Sequence, residues 1–547
     1  MLEYTLWPMQ KSKYVLGLCA FKTQSAVALL KDGKPVYAAA EERFSRKKND
    51  TPFPEQAFSS CLEENFLSVD DIDTIAFVPS VDNDIEACIR ERLGYRSDVF
   101  KAEHILAHAA SAFLLSPFDK AAIAVMDDSD AGITTSYGIG EGHRLRNLMQ
   151  VEKPHSIGLF YSALTQFLGF KPRYSEFKVM GLASYGKKER ATNPYYDKLK
   201  RTVKLREGGK IELDLSYFND AKEGMLYSDK LGKLLKLKPR LGRIDAKHKD
   251  LALALQMFAE DMIFHVLRAA HSATACDNMV IAGNVALNSV ANGKIIRKTA
   301  FKKIWIQPAA GDSGLALGAA CLAYADIAKK RPEMMADDFL GPSFGDRDIM
   351  KFLEKKQVEY EHLADERELV KEVAKAIGEG KIVGWFQGKM EFGPRALGNR
   401  SVLADPHNPD AKDILNKRIK HREAFRPFAP AVCIEDAKEL FDCDMPPQKP
   451  TDFMLMVYPI KEKYRKLVPA VTHVDGSGRL QTVRKADNPL FHSLIKEFGR
   501  LSGIPMLLNT SFNSSDEPIV CTPADAYDCF KRTGMDYLVM GRFLIRK

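Results

Sequence analysis

The chain has 547 residues, of which 80 are Lys or Arg and 72 are Asp or Glu, and it carries a net charge of +8. This length is too great for one hydrophobic core, so two or three domains are expected. The 45% hydrophobic content is ordinary for a globular protein. The mild positive charge fits an anionic ligand such as a nucleotide, and it permits nucleic acid without demanding it.

Cysteine usage and apolar segments exclude several classes of protein. The nine cysteines are odd in number and form no Cys-x-x-Cys motif, so neither a disulfide framework nor a zinc ribbon is expected. A reducing, cytoplasmic location is expected instead. The N-terminus carries an acid and lacks a long apolar core, which argues against a signal peptide. No run of 18 apolar residues is present to span a membrane.

Residues 14–41 predict three antiparallel strands, with Asp32-Gly33 as the turn between the last two. This opening resembles the ribonuclease H-like half of an actin/Hsp70-type nucleotide-binding fold. The Lys-rich residues 198–249 are weakly patterned and are expected to be a surface insertion. Residues 249–275 predict a long helix that packs in the core.

A candidate metal site is indicated by two histidines and an aspartate. His104 and His108 lie four residues apart in a predicted helix over 104–116, hence on one face. Asp127 ends a predicted buried strand. A His-x-x-x-His pair with a carboxylate from a neighbouring strand can bind a divalent metal. The alternative is a pair of histidines on a polar helix face, and the spacing alone does not decide between the two.

Two strand–glycine–helix units follow, over 279–295 and 303–324. The first strand ends in Gly283-Asn284, and backbone amides at such a helix start can receive phosphate. Asp312 precedes the second helix. It is either an N-cap or a nucleotide or metal contact at the strand ends, where α/β sheets bind ligands.

Residues 329–346 are expected to be a linker, after which a basic stretch over 381–431 dominates the chain. A predicted strand leads through Gly388, Gly393 and Pro394 into a turn and a helix. Forked Arg donors and Lys point charges on such a frame suit a small dianion such as phosphate. The alternative is a solvated basic helix, although glycines, prolines and apolar residues interrupt the charge run. The cations are Arg395, Arg400, Lys417, Arg418, Lys420, Arg422 and Arg426.

Two later segments add polar groups. Residues 470–483 present His473, Asp475, Arg479 and Gln481 around two glycines. Residues 504–526 predict a strand that ends in the run from Asn509 to Asn513, whose hydroxyl and amide groups can bind phosphate or carbonyl oxygens. Thr522 is expected to cap a helix that starts at Pro523.

Several of these segments, in order and over nearly the whole chain, resemble the O-carbamoyltransferases. The motifs are EERFSRKK, HxxxHAASAF, FKVMGLASYG, GNVALNSVAN, QPAAGDSGLALGAA, MEFGPRALGNRS, HVDGSGRLQ and NTSFN. The resemblance implies an α/β protein with two parts. Residues 1–335 would form a Kae1-like domain of the actin/Hsp70 superfamily, a duplicated ribonuclease H-like fold. Residues 345–547 would form a YrdC-like α/β domain.

The resemblance also implies an activity. The C-terminal part would bind carbamoyl phosphate and ATP and make carbamoyl-adenylate. The N-terminal part would hold this intermediate beside a divalent metal, with Fe(II) expected there and Mg²⁺ a candidate for the ATP. The carbamoyl group would then pass to a hydroxyl of a small metabolite or sugar. The sequence predicts neither the identity of the acceptor nor the oligomeric state.

Site residues are carried over from the family motifs. The implied metal ligands are His104, His108, Asp127 and Asp312. The implied adenylate contacts are Lys48, Glu176, Lys178, Gly283, Asn284, Asn288 and Gly311. The implied carbamoyl phosphate contacts are Arg395, Lys420, Arg426 and Ser511, with Arg479, Asn509 and Asn513 nearby. Several cations are needed because carbamoyl phosphate and ATP are both polyanions that repel each other. A shielded path between the two sites is expected because an acyl-adenylate reacts with water.

The chain departs from the family pattern in its acceptor half. Lys22 and Thr23 stand where relatives carry His-Asp, and the run from Asp127 to Gly132 replaces Asp-Gly-x-Gly-Glu. We expect activation to be retained and the acceptor, or the deprotonation of its hydroxyl, to differ. Lys22 is either a catalytic base, which requires a strongly lowered pKa, or a contact for an anionic acceptor.

Three other functions remain open. The acceptor could be a hydroxymethylated base in nucleic acid, although no aromatic and basic platform demands it. The changed hairpin could belong to a nucleotide-binding sensor without transfer activity. The third function is that of a threonylcarbamoyl-type tRNA enzyme. The order of the two fused parts and the motifs NTSFN and FGPRALGNRS argue against it.

Overall fold

The computed structural model describes residues 12–128, 132–187, 189–220, 224–444 and 446–547. The strands are β1 (Tyr14–Cys19), β2 (Ala26–Lys31), β3 (Lys34–Ala40), β4 (Thr74–Phe77), β5 (Val99–Lys101), β6 (Lys120–Met126), β7 (Ile133–Glu141), β8 (Arg144–Glu152), β9 (Val203–Leu205), β10 (Ile211–Leu213), β11 (Asn278–Ala282), β12 (Lys303–Ile306), β13 (Glu361–His362), β14 (Val383–Phe386), β15 (Arg400–Ala404), β16 (Ala429–Cys433), β17 (Met456–Pro459), β18 (Ser477–Val483), β19 (Met506–Ser511), β20 (Tyr537–Met540) and β21 (Phe543–Arg546).

The helices are α1 (Glu42–Ser45), α2 (Glu55–Asn65), α3 (Ile85–Arg92), α4 (His104–Phe113), α5 (Ile157–Phe167), α6 (Glu176–Ala183), α7 (Tyr196–Lys200), α8 (Asp229–Leu235), α9 (Ala246–Thr274), α10 (Ser289–Asn292), α11 (Ile295–Lys298), α12 (Gly314–Ala328), α13 (Asp346–Lys355), α14 (Glu366–Gly378), α15 (Ala411–Ile414), α16 (Ala437–Leu440), α17 (Glu462–Arg465), α18 (Pro489–Ser502) and α19 (Pro523–Arg532). Single 3₁₀ turns occupy Val69–Asp71, Glu207–Gly209, Asn284–Leu287, Ile434–Asp436 and Lys449–Thr451, and Leu415–Lys420 is a π-helix.

Two five-stranded sheets in the first part of the chain share one topology. Their strand orders are β3-β2-β1-β4-β5 and β8-β7-β6-β11-β12. In each sheet the first three strands in sequence are antiparallel neighbours, and the last two are parallel to the first. The same strand order therefore occurs twice, as a duplicated ribonuclease H-like fold requires.

The predicted hairpin at the start of the chain is confirmed. Strands β1, β2 and β3 pair antiparallel. Asp32 and Gly33 have φ values of 53° and 89°, the left-handed conformation of tight hairpin turns.

Helices α12 and α4 pack between the two sheets, and glycines at their contacts let the backbones approach closely. A Cβ added at Gly17 of β1 would lie 1.8 Å from the Ala316 carbonyl oxygen of α12. A Cβ at Gly318 of α12 would lie 1.9 Å from the Ala107 carbonyl oxygen of α4. Only glycine allows such contacts between backbones, and they bring the start of α12 next to the helix that carries the two histidines.

The second part of the chain forms one nine-stranded sheet, with strand order β13-β21-β20-β14-β15-β19-β16-β18-β17. The basic stretch was predicted as strand, turn and helix. The structure instead inserts a second strand, because Arg400 to Ala404 pair antiparallel with both β14 and β19. The turn over 387–399 is thus a loop between two adjacent central strands, which makes it a rigid support.

Two segments expected to lie on the surface are anchored to the protein. In the predicted insertion, Leu199, Phe218 and Leu231 are buried, because its short helices and its β9–β10 hairpin turn their apolar residues inward. In the predicted linker, Arg331 donates hydrogen bonds to the Leu114 carbonyl oxygen at 2.9 Å and to three further carbonyl groups.

No helix in the described ranges is long and apolar enough to cross a membrane. The departure from the family pattern between Asp127 and Gly132 includes residues 129–131, and the segment examined for a signal peptide includes residues 1–11. Both groups lie outside the described residues.

Candidate active site

A buried group of two histidines and two aspartates lies where α4, β6 and the start of α12 meet. One ligand atom from each of His104, His108, Asp127 and Asp312 lies within 4.8 Å of the others. His104 Nε2 is 3.0 Å from Asp127 Oδ2, and His108 Nε2 is 3.5 Å from the same oxygen. His108 and Asp127 are at most 1% exposed. The structure therefore brings together the four residues that the motifs singled out.

In each aspartate of this group, one carboxylate oxygen accepts hydrogen bonds that fix the orientation of the side chain. The Asn284 amide donates to Asp127 Oδ1 at 2.9 Å. The amide and the hydroxyl of Thr23 both donate to Asp312 Oδ2, at 3.0 and 2.6 Å. The other carboxylate oxygens, Asp127 Oδ2 and Asp312 Oδ1, face His108 at 3.5 and 3.9 Å. Asp312 is therefore not a helix N-cap: Ser313 occupies that position, and no side chain caps the helix.

The donor set fits a divalent transition-metal ion. Within the described chain, His108 Nε2 and the Nδ1 atoms of both histidines make no hydrogen bond, although buried polar atoms are nearly always partnered. Burial would raise the pKa of Asp127, but His108 and His104 hold it well below its ordinary value. Two imidazoles and two carboxylates suit iron or zinc better than Mg²⁺, which prefers oxygen ligands.

A second group, of basic residues, lies in the C-terminal part of the chain. Lys420 is 2% exposed, and its Nζ donates to Asn513 Oδ1 at 2.9 Å, to the Asn513 carbonyl oxygen at 3.0 Å and to Ser511 Oγ at 3.1 Å. It also contacts the Ser511 carbonyl oxygen. Burial, with Arg422 nearby, lowers the pKa of Lys420 well below its usual value. Lys420 thus joins the π-helix to the turn after β19.

Four arginines of this group repel one another, and two of them, Arg422 and Arg426, also act on Lys420. Burial and the charge of Arg426 lower the pKa of Arg395 to about 10, and the same two causes lower that of Arg422 to about 9. Burial, followed by Arg395, Arg422 and Arg426, lowers the pKa of Arg479 well below its usual value. In the described chain, the Nε atoms of Arg395 and Arg479 have no hydrogen-bond partner. So dense a group of cations favours an anionic ligand.

Three other cations of the basic stretch do not belong to this group. Arg400 is fully buried and stacks on Phe386 at 3.7 Å, and its guanidinium donates to the carbonyl oxygens of Gln387, Gly388, Asn399 and Pro342. Lys417 and Arg418 are exposed. The basic stretch therefore divides into one structural arginine, two solvated cations and the converging group.

The loop that carries Arg395 is held by three buried side chains. Glu391 Oε1 accepts hydrogen bonds from the amides of Leu397, Asn399 and Arg400 at 2.7 to 3.2 Å. Asn509 Nδ2 donates to the Ala396 carbonyl oxygen at 3.3 Å and to Gln481 Oε1 at 2.7 Å. Gln481 in turn donates to the Leu397 carbonyl oxygen at 2.8 Å. Asn509 is thus part of the support for Arg395.

The first part of the chain reaches the basic group through its two predicted lysines. Lys48 Nζ donates to the Ser515 carbonyl oxygen at 2.8 Å. Lys178 Nζ donates to Glu423 Oε1 at 2.9 Å. The Arg426 guanidinium lies over the Phe177 ring at 4.7 Å. Both lysines therefore lie at the junction of the two parts, beside the residues expected to contact carbamoyl phosphate.

The loops that carry the two groups are in direct contact. A Cβ at Gly393, two residues before Arg395, would lie 3.3 Å from the Pro308 carbonyl oxygen, in the loop that leads to Asp312. A narrow cavity between them is lined by Gln24 and Ser313 on one side and by Glu391 and Gly393 on the other. The two candidate sites thus share a boundary.

The remaining predicted residues have other partners. Asn288 caps α10 and exchanges hydrogen bonds with Gln256 at 3.0 and 3.1 Å. Glu176 accepts hydrogen bonds from the Ser162 hydroxyl at 2.7 Å and from the Arg173 amide at 2.6 Å, and burial raises its pKa. These contacts support the site from within the first part of the chain.

Gly283 and Gly311 shape the backbone beside the histidine–aspartate group. A Cβ at Gly283 would lie 2.2 Å from the Met126 carbonyl oxygen, and one at Gly311 would lie 2.6 Å from Asn284 Oδ1. Lys22 is half-buried, beside Thr23.

Sequence reasoning missed several residues of the site. Glu391 and Phe177 lie inside two of the quoted motifs but were not singled out, because their roles, support of the Arg395 loop and contact with Arg426, appear only in the fold. Glu423 pairs with Lys178 across 245 positions. The bond between Thr23 and Asp312 spans 289 positions, and no local pattern indicates it.

Comparison with known proteins places the chain in a family. The family model described as "Carbamoyltransferase N-terminus" matches residues 14–94 and 85–321, and that described as "Carbamoyltransferase C-terminus" matches residues 374–547. The uncharacterized protein sll1178 of Synechocystis sp. is 38% identical, over 98% of this chain and 97% of its own length. Nodulation protein NolNO of Sinorhizobium fredii is 35% identical, over 96% of this chain and 79% of its own length.

Likeness to solved structures is weak. A ROK hexokinase from Thermus thermophilus covers 57% of this chain and 99% of its own, at 14% identity and a TM-score of 0.29. YeaZ from Pseudomonas aeruginosa covers 26% of this chain and 67% of its own, at 16% identity and a TM-score of 0.19. Scores this low carry no weight for the fold or the site. The two family models and the full-length relatives do, and they show that this chain is a transferase of the carbamoyltransferase family.

Proposed function

We propose that the chain is an ATP-dependent O-carbamoyltransferase with two reaction sites. The basic group of the C-terminal part binds carbamoyl phosphate and ATP and forms carbamoyl-adenylate. Water first hydrolyses carbamoyl phosphate to carbamate and inorganic phosphate. The carbamate oxygen then displaces pyrophosphate from the α-phosphorus of ATP. The histidine–aspartate group receives the carbamoyl-adenylate, and an acceptor hydroxyl displaces AMP. This division matches a Kae1-like part over 1–335 and a YrdC-like part over 345–547.

The observation that carries this proposal is the close placement of four half-buried arginines, Arg395, Arg422, Arg426 and Arg479, whose like charges repel one another. Folding withdraws these like charges from water, and that arrangement is costly unless an anion occupies the space between them. A phosphorylated substrate offers several oxygens for forked donors. Two polyanionic substrates can approach each other there because the cations offset their repulsion.

The histidine–aspartate group is the proposed metal centre. His104, His108, Asp127 and Asp312 would hold the ion, and we propose Fe(II), with Mg²⁺ accompanying ATP at the other site. When bound, such an ion acts as a Lewis acid that polarises a carbonyl oxygen. Asn284 and Thr23 orient the two carboxylates. The loops of the two groups are in close contact, which favours the shielded path that a water-sensitive adenylate requires.

The proposed acceptor is a small metabolite or sugar with a free hydroxyl. The test is a screen of such compounds with radiolabelled carbamoyl phosphate and ATP, read as label transfer to the acceptor and as pyrophosphate release. Pyrophosphate release should require carbamoyl phosphate. Release from ATP at the same rate without carbamoyl phosphate, or label transfer without ATP, would refute the activation step.

Replacement of Lys22 by methionine tests the role of the hairpin. We expect K22M to lower the rate of transfer to the acceptor and to leave carbamoyl phosphate-dependent pyrophosphate formation in a single turnover unchanged. Loss of a charge-assisted contact costs about 1.5–3 kcal/mol, which is about 10- to 150-fold in KM for the acceptor. Loss of a general base would instead lower kcat by about 10²–10⁴-fold.

The variant K22R separates the two roles of Lys22. An arginine keeps the positive charge but does not deprotonate in proteins, so it should restore transfer if Lys22 binds an anionic acceptor and fail to restore it if Lys22 is a base. Loss of pyrophosphate formation in K22M would contradict the placement of Lys22 in the acceptor half.

A further inference from the structure

Thr23 forms hydrogen bonds with Asp312, a residue that lies 289 positions away in the sequence. It lies in the loop between β1 and β2, and both of its donors reach one oxygen of Asp312. The amide donates to Asp312 Oδ2 at 3.0 Å and the hydroxyl at 2.6 Å. Asp312 is 6% exposed, so these two protein donors take the place that water would occupy around that oxygen.

The loop that presents Thr23 is itself fixed. The Phe21 amide donates to the Thr51 carbonyl oxygen at 2.8 Å, and the Ser25 amide donates to the Asp50 carbonyl oxygen at 2.9 Å. The Ser25 hydroxyl donates to the Thr51 carbonyl oxygen at 2.8 Å. Phe21 has a φ of 56°, a conformation that non-glycine residues adopt at some cost and that surrounding contacts must hold. The loop is therefore braced on both sides of Thr23.

The consequence for Asp312 is a defined orientation. Because Oδ2 accepts both donors, Oδ1 is the oxygen that faces His108 Nε2, at 3.9 Å. The neutral donors of Thr23 stabilise the Asp312 carboxylate without adding a charge. This matters because the same buried site already contains a second carboxylate, that of Asp127. An acidic residue there would bring a further negative charge to Oδ2, and like charges at such a distance disfavour each other.

We propose that Thr23 is a positioning residue for the metal centre: it holds the Asp312 carboxylate so that Oδ1 is available as a ligand together with His104, His108 and Asp127. This inference rests on the proposed metal site. It assigns to the altered hairpin a role in metal affinity as well as in the choice of acceptor. Residues that orient a ligand in this way typically contribute about 10- to 100-fold to metal affinity.

The test is Co(II) binding to the full chain, followed by calorimetry and by the visible absorption bands of the bound ion. The variant T23V keeps the amide donor and the shape of the side chain but removes the hydroxyl. We expect its Kd for Co(II) to rise about 10-fold or more, with a changed absorption spectrum. T23S restores the hydroxyl and should return the Kd to within about twofold of the unmodified protein. Thermal unfolding of each metal-free variant controls for loss of fold.

The outcomes separate this inference from the metal site on which it rests. If H108A weakens Co(II) binding but T23V binds as tightly as the unmodified chain with the same spectrum, the role of Thr23 is overturned and the site stands. If H108A also binds Co(II) normally, the metal site and the role of Thr23 both fall. If T23S does not restore the affinity that T23V loses, the hydroxyl is not the cause and the inference is again overturned.

Discussion

Replacement of Arg395 by alanine is expected to lower kcat/KM for carbamoyl phosphate-dependent pyrophosphate release by about 10²–10³-fold, the typical effect of removing one donor from a charge-stabilising site. Arg395 lies between two central strands, on a loop held by Glu391 and Asn509. Its Nε makes no hydrogen bond within the described part of the chain. Because Arg395 lies beside Arg426 and Arg479, it is placed to bind an anionic ligand, and its loss removes a forked donor that lysine does not replace.

The matched control is K417A. Lys417 belongs to the same basic stretch but is exposed on the π-helix, so its removal should change kcat/KM by less than about twofold, as for a screened surface charge. R395K should recover only part of the activity, because it restores the charge without the fork. Equal activities of R395A and K417A would show that the cation group does not bind the donor substrate, and the proposed activation step would fail.

Replacement of His108 by alanine is expected to separate the two half-reactions. Transfer of label to an acceptor should fall by at least about 10²-fold, the contribution usually seen when positioning of a reacting group is lost. Formation of pyrophosphate in a single turnover should persist within about twofold. The reason is that His108 belongs to the buried group at α4, whereas the cations lie in the C-terminal part of the chain. Measured side by side, R395A should lose both pyrophosphate release and transfer to the acceptor, whereas H108A should lose transfer alone.

The control for this experiment is H143A, which removes a histidine from the turn between β7 and β8. It should leave both half-reactions and Co(II) binding unchanged. Loss of pyrophosphate formation in H108A, with an unchanged unfolding temperature, would contradict two separate sites. Unchanged transfer to the acceptor would remove the histidine–aspartate group from the mechanism.

The Lys420 contacts refine what the cation group does. A lysine ammonium has three donors, and the Nζ of Lys420 already lies within hydrogen-bond distance of four oxygens of Ser511 and Asn513. In this arrangement Lys420 orders the turn after β19, whereas Arg395 and Arg479 each keep an unpartnered Nε within the described chain. A ligand oxygen would have to displace one of these contacts to bind Lys420 directly.

Elements with short-range signals could be predicted from the sequence alone. The hairpin over 14–41, the helix with the two histidines and the Thr522 cap are confirmed. These features depend on residues within a few positions of one another, where a turn type, an i,i+4 spacing or a cap sets the geometry. The motifs also identified the residues of both groups, because their residue types carry the chemistry whatever their surroundings.

Which of these residues act together could be seen only once the chain was folded. Arg400 and Arg395 look alike in the sequence, yet the Arg400 guanidinium donates to four carbonyl oxygens and stacks on Phe386. The charge of Arg395 instead lies close to those of Arg426 and Arg479. Asp312 satisfies the local pattern of an N-cap but is oriented by Thr23 from 289 positions away. Hydrogen bonding and burial depend on neighbours in space, and those neighbours are set by how the sheets and helices pack.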